Sequence, residues 1–329
     1  MLKDQYLALT NPEDQHIGHI PFVAEHMDGK LQVIDPVPAT IAGKGLSYFI
    51  SNSSDFCEYG GVRLDRVASV WDRRPTHVTR EMFERVDLGY RRYSYSAVQQ
   101  LARQIFVQFP DALWVSDRFA VQRAELKSVQ LAEALRVGLD IPDTIMTSDQ
   151  RQAESFVRQR PATIIKALGT EGVTVDDTLL LFFSARVTPD TKLEFANMNV
   201  GPVILQDAIE PAYDVRATVI GDKIFPAAIT ADAEKDLKVG VRDWRIGDHT
   251  GTLHINACDI PTGIEEKCIA LVKNLGLKFG AIDMVVDKQG KHWFIENNPN
   301  GQWAFVEAQT KQPIGKAMAE LLLSGSVER

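Results

Sequence analysis

Residues Gly280 to Gln302 read GAIDMVVDKQGKHWFIENNPNGQ, and the fold follows from how this stretch pairs with itself. Two runs, 279–286 and 292–297, are rich in Ile, Val, Phe and Trp. The cluster Asp287-Lys288-Gln289-Gly290 between them is turn-forming. With Gln289-Gly290 as a two-residue turn, a hairpin pairs residues of constant index sum and sets Asp283 opposite Glu296. Asn298 lies two residues beyond Glu296 and shares its face. Two carboxylates and a carboxamide then converge on one patch. Hard oxygen donors of this kind, with positions left for water and phosphate, suit Mg²⁺ held against a nucleotide. The inference depends on register, because a slip of one residue sends the set to opposite faces. An exposed acidic hairpin is the competing reading.

Upstream, residues 262–275 have the spacing of an amphipathic helix, and residues 305–323 close the chain largely as helix. Residues 213–220 and 223–229 form a second hairpin with Gly221-Asp222 at its turn. Alternation sets Asp214, Arg216 and Thr218 on one face and Val215, Ala217 and Val219 on the other. Asp214 and Arg216 either pair on a solvated sheet or, in a cleft, bind a ribose hydroxyl and a phosphate. Asp243-Trp244-Arg245 offers a second arginine on what reads equally as a surface loop. Residues 202–206 form a strand that ends at Gln206-Asp207-Ala208-Ile209.

Residues 162–166 form a strand ending in Lys166, and Leu168-Gly169-Thr170-Glu171-Gly172 follows it. A strand, a lysine and a glycine loop can cradle phosphate: the loop offers backbone N–H groups and the lysine a point charge. The order is not the Gly-Lys-Ser/Thr of a Walker A loop. Residues 148–160 read as a helix, preceded by a strand opening at Ile141-Pro142-Asp143-Thr144. A helix over 119–137 places Lys127, Leu131 and Leu135 four apart on one stripe. A lysine heading an apolar stripe either snorkels or reaches a phosphate.

Strands at 5–10, 31–34, 46–51, 68–71 and 114–115 alternate with helices at 21–27 and 94–109, the pattern of a small open α/β domain ending near Ser116. Asp72-Arg73-Arg74-Pro75 follows a strand read as ending at Trp71. Carboxyl ends of such strands bind ligands, so Arg73 and Arg74 either face a substrate carboxylate or sit in a solvated loop. His292 reads as a solvent-facing strand residue.

The chain has 329 residues, 45% apolar and 24% charged, ordinary values for a globular protein with a sizeable core. A net charge of −8 argues against nucleic acid as the main partner. Three cysteines without metal-type spacing point to reduced thiols and a cytoplasmic location. No apolar run approaches the ~18 residues of a membrane span, and no signal peptide is legible. Nor is a Ser-His-Asp constellation or an activated cysteine, which fits chemistry without a covalent enzyme intermediate.

From about Val115 to Leu323 the ordered set Lys127, Lys166, Gln206-Asp207-Ala208-Ile209, Asp214-Val215-Arg216, Asp283 and Glu296-Asn297-Asn298 resembles the ATP-grasp ligases. The resemblance narrows to the branch that matures ribosomally made peptides of the microviridin, or graspetide, type. Val70-Trp71-Asp72-Arg73-Arg74-Pro75, Ile141-Pro142-Asp143-Thr144, the segment 213–219, Asp243-Trp244-Arg245, the segment 279–283 and Asn298-Pro299-Asn300-Gly301-Gln302-Trp303 carry it, over most of the chain.

The resemblance implies an α/β (α+β) ATP-grasp fold. Its parts would be an N-terminal open α/β pre-ATP-grasp domain (1–115), a central small α+β subdomain (116–200) and a C-terminal antiparallel-sheet subdomain (201–329). It implies ATP and Mg²⁺ as cofactors. Lys127 and Lys166, with the loop of Gly169 and Gly172, would contact phosphates. Gln206 and the backbone around Asp207 and Ile209 would hold adenine, and Asp214 the ribose. Asp283, Glu296 and Asn298 would coordinate the metal. The chemistry implied is ADP-forming activation of a carboxylate to an acyl phosphate. An amine or hydroxyl of the same leader-core precursor peptide then attacks, making a side-chain ester or amide ring. A homodimer is implied as well, with no membrane or nucleic-acid partner. Two departures stand out. The phosphate loop has fewer glycines than many relatives, and Ala281 replaces an arginine that some small-peptide ligases carry. Arg216 and Arg245 are the candidates to meet transition-state charge instead. A ligase joining separate molecules, and a non-catalytic nucleotide-binding partner, are the other readings of the same residues.

Overall fold

The computed structural model describes residues 4–11, 18–43, 45–168, 173–175, 178–180, 184–191, 201–231 and 253–325. Gly169, Gly172 and Arg245 lie outside the described residues.

In chain order, β1 (Gln5–Thr10) and β2 (Leu31–Ile34) precede an antiparallel ribbon of β3 (Leu46–Ile50), β4 (Asp55–Tyr59) and β5 (Val62–Arg63). β6 (Val67–Arg74) and β7 (Leu113–Val115) complete a parallel sheet in the order β2-β1-β6-β7. Parallel sheets are covered on both faces. Accordingly Leu7, Leu9 and Val70 enter one core, while Ala8 and Trp71 enter another on the opposite face. β6 does not stop at Trp71. Asp72 pairs with Leu9 and Arg74 with Thr10, which draws both residues into the sheet. Asp72 and Arg73 are buried, so the solvated-loop reading is wrong for them, and Arg74 alone is exposed.

β8 (Thr144–Thr147), β9 (Thr163–Ala167), β12 (Ala185–Val187) and β13 (Val203–Asp207) form an antiparallel sheet in the order β12-β9-β13-β8. Between β9 and β12, β10 (Val173–Val175) and β11 (Thr178–Leu180) pair with each other. The helix Gln150–Arg158 starts where the Asp149 side chain accepts from Arg151 N and Gln152 N. Its Ala153, Phe156 and Val157 then pack on Val187 and Leu205 in a core belonging to this sheet.

β14 (Pro211–Ile220), β15 (Lys223–Ala231), β16 (Leu253–Ala257), β17 (Phe279–Asp287) and β18 (His292–Asn298) form the largest sheet, antiparallel, in the order β16-β15-β14-β17-β18. Val215, Ala217 and Val219 face the helix Thr262–Asn274 through Cys268, Leu271 and Val272, as their alternation requires. The other face carries Phe279 and Ala281 at one end, packed with Trp303, Ile314 and Met318. Further along the same strands it turns polar, at Arg216 and Asp283. The apolar end also meets Ala8, Val23, Trp71 and Val115, so the first and last parts of the chain share one core.

Two expected helices are interrupted. Residues 119–137 form Arg118–Ala124 and Lys127–Arg136, because the Ala124 carbonyl is taken by Gln130 Nε2 at 2.6 Å instead of a helical N–H. In the second helix Leu131 is buried but Leu135 is 58% exposed. Rows of four drift by about 40° per step, so Lys127 and Leu135 do not share a face. Residues 305–323 form Ala304–Thr310 and Ile314–Leu323, divided by Lys311 at φ 60° and by Pro313. Among the described residues no helix is long and apolar enough to cross a membrane.

Candidate active site

Asp283 does lie opposite Glu296, but the turn expected to put it there does not occur. Near the turn the hairpin pairs Val286 with His292, and Asp287 N donates to Lys291 O at 3.0 Å. The loop is three residues, with Gly290 at φ 81°, a backbone state that favours glycine. A bulge between the Met284–Phe294 and Asp283–Glu296 pairs then adds one residue and restores the expected partner. The bulge also breaks the alternation of β18. His292 and Phe294 enter the core beside Met284 and Val286, while Glu296 and Asn298 face the other way. This is why His292 is 8% exposed rather than solvent-facing.

Asn298 Nδ2 donates to Asp283 Oδ2 at 3.2 Å and to Glu296 Oε1 at 3.0 Å, so the three side chains meet. Cations surround them. Lys127 Nζ stands 2.7 Å from Glu296 Oε2, and Arg216 Nη1 stands 3.1 Å from Asp283 Oδ1. The helix break matters here: Lys127 is the first residue of the restarted helix, and its side chain reaches β18. Burial pushes the Glu296 carboxyl up, but Lys127, Lys166 and the Asn298 amide outweigh it and hold it well below the usual carboxylate range.

Lys166 belongs to this electrostatic cluster from a different sheet. Its Nζ donates to Gln206 Oε1 at 2.8 Å, and Gln206 Nε2 donates to Thr144 Oγ1 at 3.0 Å. Asp207 N–H is used by the Asp143 carbonyl at 2.9 Å, and the Asp207 carboxylate pairs with Arg160. A contact from Asp207 to a base would therefore come from its carbonyl. Ile209 is half-buried just beyond β13. Asp214 shares the Arg216 face of β14, two residues away.

The two carboxylates and the amide fit a divalent cation once the Asn298 carboxamide turns by half a revolution to present its oxygen. Among the described residues no group of three or more His, Cys, Asp or Glu is placed to hold a metal ion. Two carboxylates and one amide would leave the other positions of an octahedron to water and phosphate.

The turn beyond Asn298 is pinned from the N-terminal part of the chain. Arg73 Nη1 donates to the Asn300 carbonyl, and with its amide turned over, the orientation that satisfies both its oxygen and its nitrogen, Asn300 donates to Asp72 O at 3.1 Å. His19 Nε2 accepts from Trp303 N at 3.0 Å and Ala304 N at 3.1 Å. Gly301 has no room for a side chain: an added Cβ would overlap Ala281 Cβ and stand 3.0 Å from Asn298 Cβ. Sequence reading missed His19, which carries no local signal. It also placed Arg73 against a substrate carboxylate or in solvent, whereas it is bonded to Asn300.

No family profile and no curated protein matches the chain. Solved structures do. The RiPP-associated ATP-grasp ligase of Chryseobacterium gregarium, in complex with ADP and a leader and core peptide, superposes with a TM-score of 0.85 at 23% identity, over 98% of this chain and 97% of that one. The macrocyclase MdnC of Microcystis aeruginosa, bound with precursor peptide MdnA, gives 0.81 at 22% identity, over 98% and 99%. The ATP-grasp ligase PsnB, complexed with minimal precursor, Mg and ADP, gives 0.76 at 16% identity, over 98% of each chain. The chain has the ATP-grasp fold over nearly its whole length.

Proposed function

We propose that this protein is an ADP-forming ligase that closes side-chain ester or amide rings in a ribosomally made precursor peptide. The observation that carries the reading is the convergence of Asp283, Glu296 and Asn298 with Lys127, Lys166 and Arg216. We read residues 1–115, 116–200 and 201–329 as the three parts of the ligase. The similarity to solved ligases that hold ADP and precursor peptides supports the substrate class.

A carboxylate attacking a γ-phosphate meets like charge, so the site must neutralise it. Lys127 and Lys166 would bind phosphate oxygens, and Asp214 the ribose. Mg²⁺, held by Asp283, Glu296 and Asn298, would supply electrophilic assistance at the γ-phosphate. Arg216, held beside Asp283, and Arg245 would meet charge developing in transfer. On nucleotide binding, Lys127 must exchange Glu296 for phosphate. In the nucleotide-free site the lysine keeps Glu296 ionised and in place.

The test is mass spectrometry of a candidate precursor incubated with protein, ATP and Mg²⁺. One water should be lost per bond formed, with ADP and phosphate as co-products. AMP and pyrophosphate would exclude the acyl-phosphate route. Joining of two separate molecules would move the assignment to another ligase class.

A further inference from the structure

The metal-facing strand is tied from outside its own sheet near its start by Asp140, whose carbonyl accepts from Phe294 N at 2.8 Å, and beside the metal face by the amide of Gln130. Gln130 lies one turn beyond Lys127 on the helix Lys127–Arg136 and is 1% exposed. Its Oε1 accepts from Asn297 N at 3.0 Å, and its Nε2 donates to Asn297 O at 2.8 Å and to Ala124 O at 2.6 Å. Every donor and its acceptor oxygen is therefore committed to main chain. β18 is the edge of its sheet, and the Gln130 amide takes the place a further strand would occupy. Asn297 sits between Glu296 and Asn298. The same helix sends Lys127 to Glu296.

We infer that Gln130 is a positioning residue for the metal face: its amide clamp on Asn297 fixes the spacing of Glu296 and Asn298 and sets Lys127 against them. The inference rests on the proposed reading of Asp283, Glu296 and Asn298 as metal-binding. The strand is then located on one edge by β17 and on the other by Asp140 at Phe294 and, next to Glu296 and Asn298, by a side chain whose three bonds leave it little freedom. Donors that must meet an octahedral ion tolerate little displacement, so the clamp should appear in metal affinity before it appears in nucleotide affinity.

The test compares the parent with Gln130→Met, Gln130→Glu and a control, Asn274→Ala. The control removes a different tie to the same helix, the 2.9 Å bond from Asn274 to Glu133. ADP binding is measured by calorimetry without metal and across a Mg²⁺ titration. Gln130→Met should raise the half-saturating Mg²⁺ concentration roughly 10–100-fold, the usual effect of losing a group that orients a metal ligand, and should weaken metal-free ADP binding by a much smaller factor. Asn274→Ala should lower the melting temperature without moving the Mg²⁺ requirement. A readout free of metal and nucleotide is amide exchange, which should quicken at Asn297 in both Gln130 variants. Should Gln130→Met fail to fold, Gln130→Glu keeps the acceptor for Asn297 N–H and regains a donor only when protonated. Its Mg²⁺ requirement should then improve as pH falls relative to the parent's. Faster exchange at Asn297 with a parental Mg²⁺ requirement in the Gln130 variants would reduce the clamp to a structural tie and overturn the inference alone. A parent that binds ADP no better with Mg²⁺ than without would overturn the metal reading, and the inference with it.

Discussion

Glu296 and Asp72 are both shielded carboxylates beside a cation, and their protonation is pushed in opposite directions. Two facing carboxylates, Asp283 and Glu296, suggest mutual repulsion, but Lys127 and Arg216 cancel it. Glu296 is held low, so its contribution to stability is present above the ordinary carboxylate range and is lost as pH falls below it. Glu296→Gln should therefore cost stability, though only about 1 kcal/mol because the pair is partly exposed. Turnover should fall by a far larger factor, ~10²–10³, as the metal loses a charged ligand. Parental turnover in this variant would remove Glu296 from the site. Asp72 is fully buried, and burial pushes its carboxyl up to about 6 despite Arg118 at 2.5 Å. The folded protein then holds this proton more tightly than the unfolded chain. The contribution is present below the unfolded value and lost as pH rises through the folded one. Relative to Asp72→Asn, the parent should lose about 2 kcal/mol of unfolding free energy between pH ~4 and ~7. Urea unfolding at several pH values reads this directly. Parallel pH curves would contradict it, and a constant offset from the unpaired arginine would not.

At the scale of elements, β17 and β18 approach closely at Gly280. An added Cβ there would overlap Asn297 Oδ1 and stand 2.7 Å from Val272 Cγ2, which belongs to the helix beneath the sheet. Gly280→Ala should therefore destabilise by about 1–3 kcal/mol, the usual cost of overpacking. Chemical denaturation would show it as a lower midpoint with an unchanged slope, and an unshifted midpoint would mean that the helix yields freely. The elements legible in the sequence are those whose pattern is local. The β14–β15 hairpin, with Gly221-Asp222 at its turn, and the helix Thr262–Asn274 follow from period and turn chemistry alone. The facing of Asp283 and Glu296 was reached through a turn that does not form. A longer loop and a bulge each shift the register by one residue in opposite senses, and only their sum was legible. The break before Lys127 was not legible, because it depends on the Gln130 amide taking the Ala124 carbonyl. The extension of β6 through Arg74 depends on pairing with β1, some sixty residues earlier. Such features are set by partners distant in sequence, which single-segment periodicity does not contain.

At the scale of the molecule, the parallel sheet and the large antiparallel sheet are not separable by cutting near residue 116. Ile220, Phe279, Trp303, Ile314, Met318 and Leu322 are buried in a core shared with Ala8, Val23, Trp71 and Val115. The approach is close: an added Cβ on Gly315 would stand 2.7 Å from Phe22 O. His19 and Arg73 also hold the turn after Asn298 from the N-terminal side. Burial of a large apolar side chain is worth ~1.5–3 kcal/mol, so partial exposure of these six forfeits roughly 5–10 kcal/mol. That is comparable to the whole net stability of a domain, ~5–15 kcal/mol. A fragment spanning residues 116–329 should therefore lack fixed packing around Trp303, with weak near-ultraviolet dichroism and strong binding of an apolar dye. The sheet β12-β9-β13-β8 has a core of its own, so far-ultraviolet dichroism should persist in part. Co-expression of residues 1–115 should restore the near-ultraviolet signal if the shared core is what was lost. A fragment of 116–329 that shows native near-ultraviolet dichroism and binds ADP with Mg²⁺ as the parent does would mean that the first 115 residues only cap a self-sufficient unit, and that the contacts of His19 and Arg73 do not shape the site.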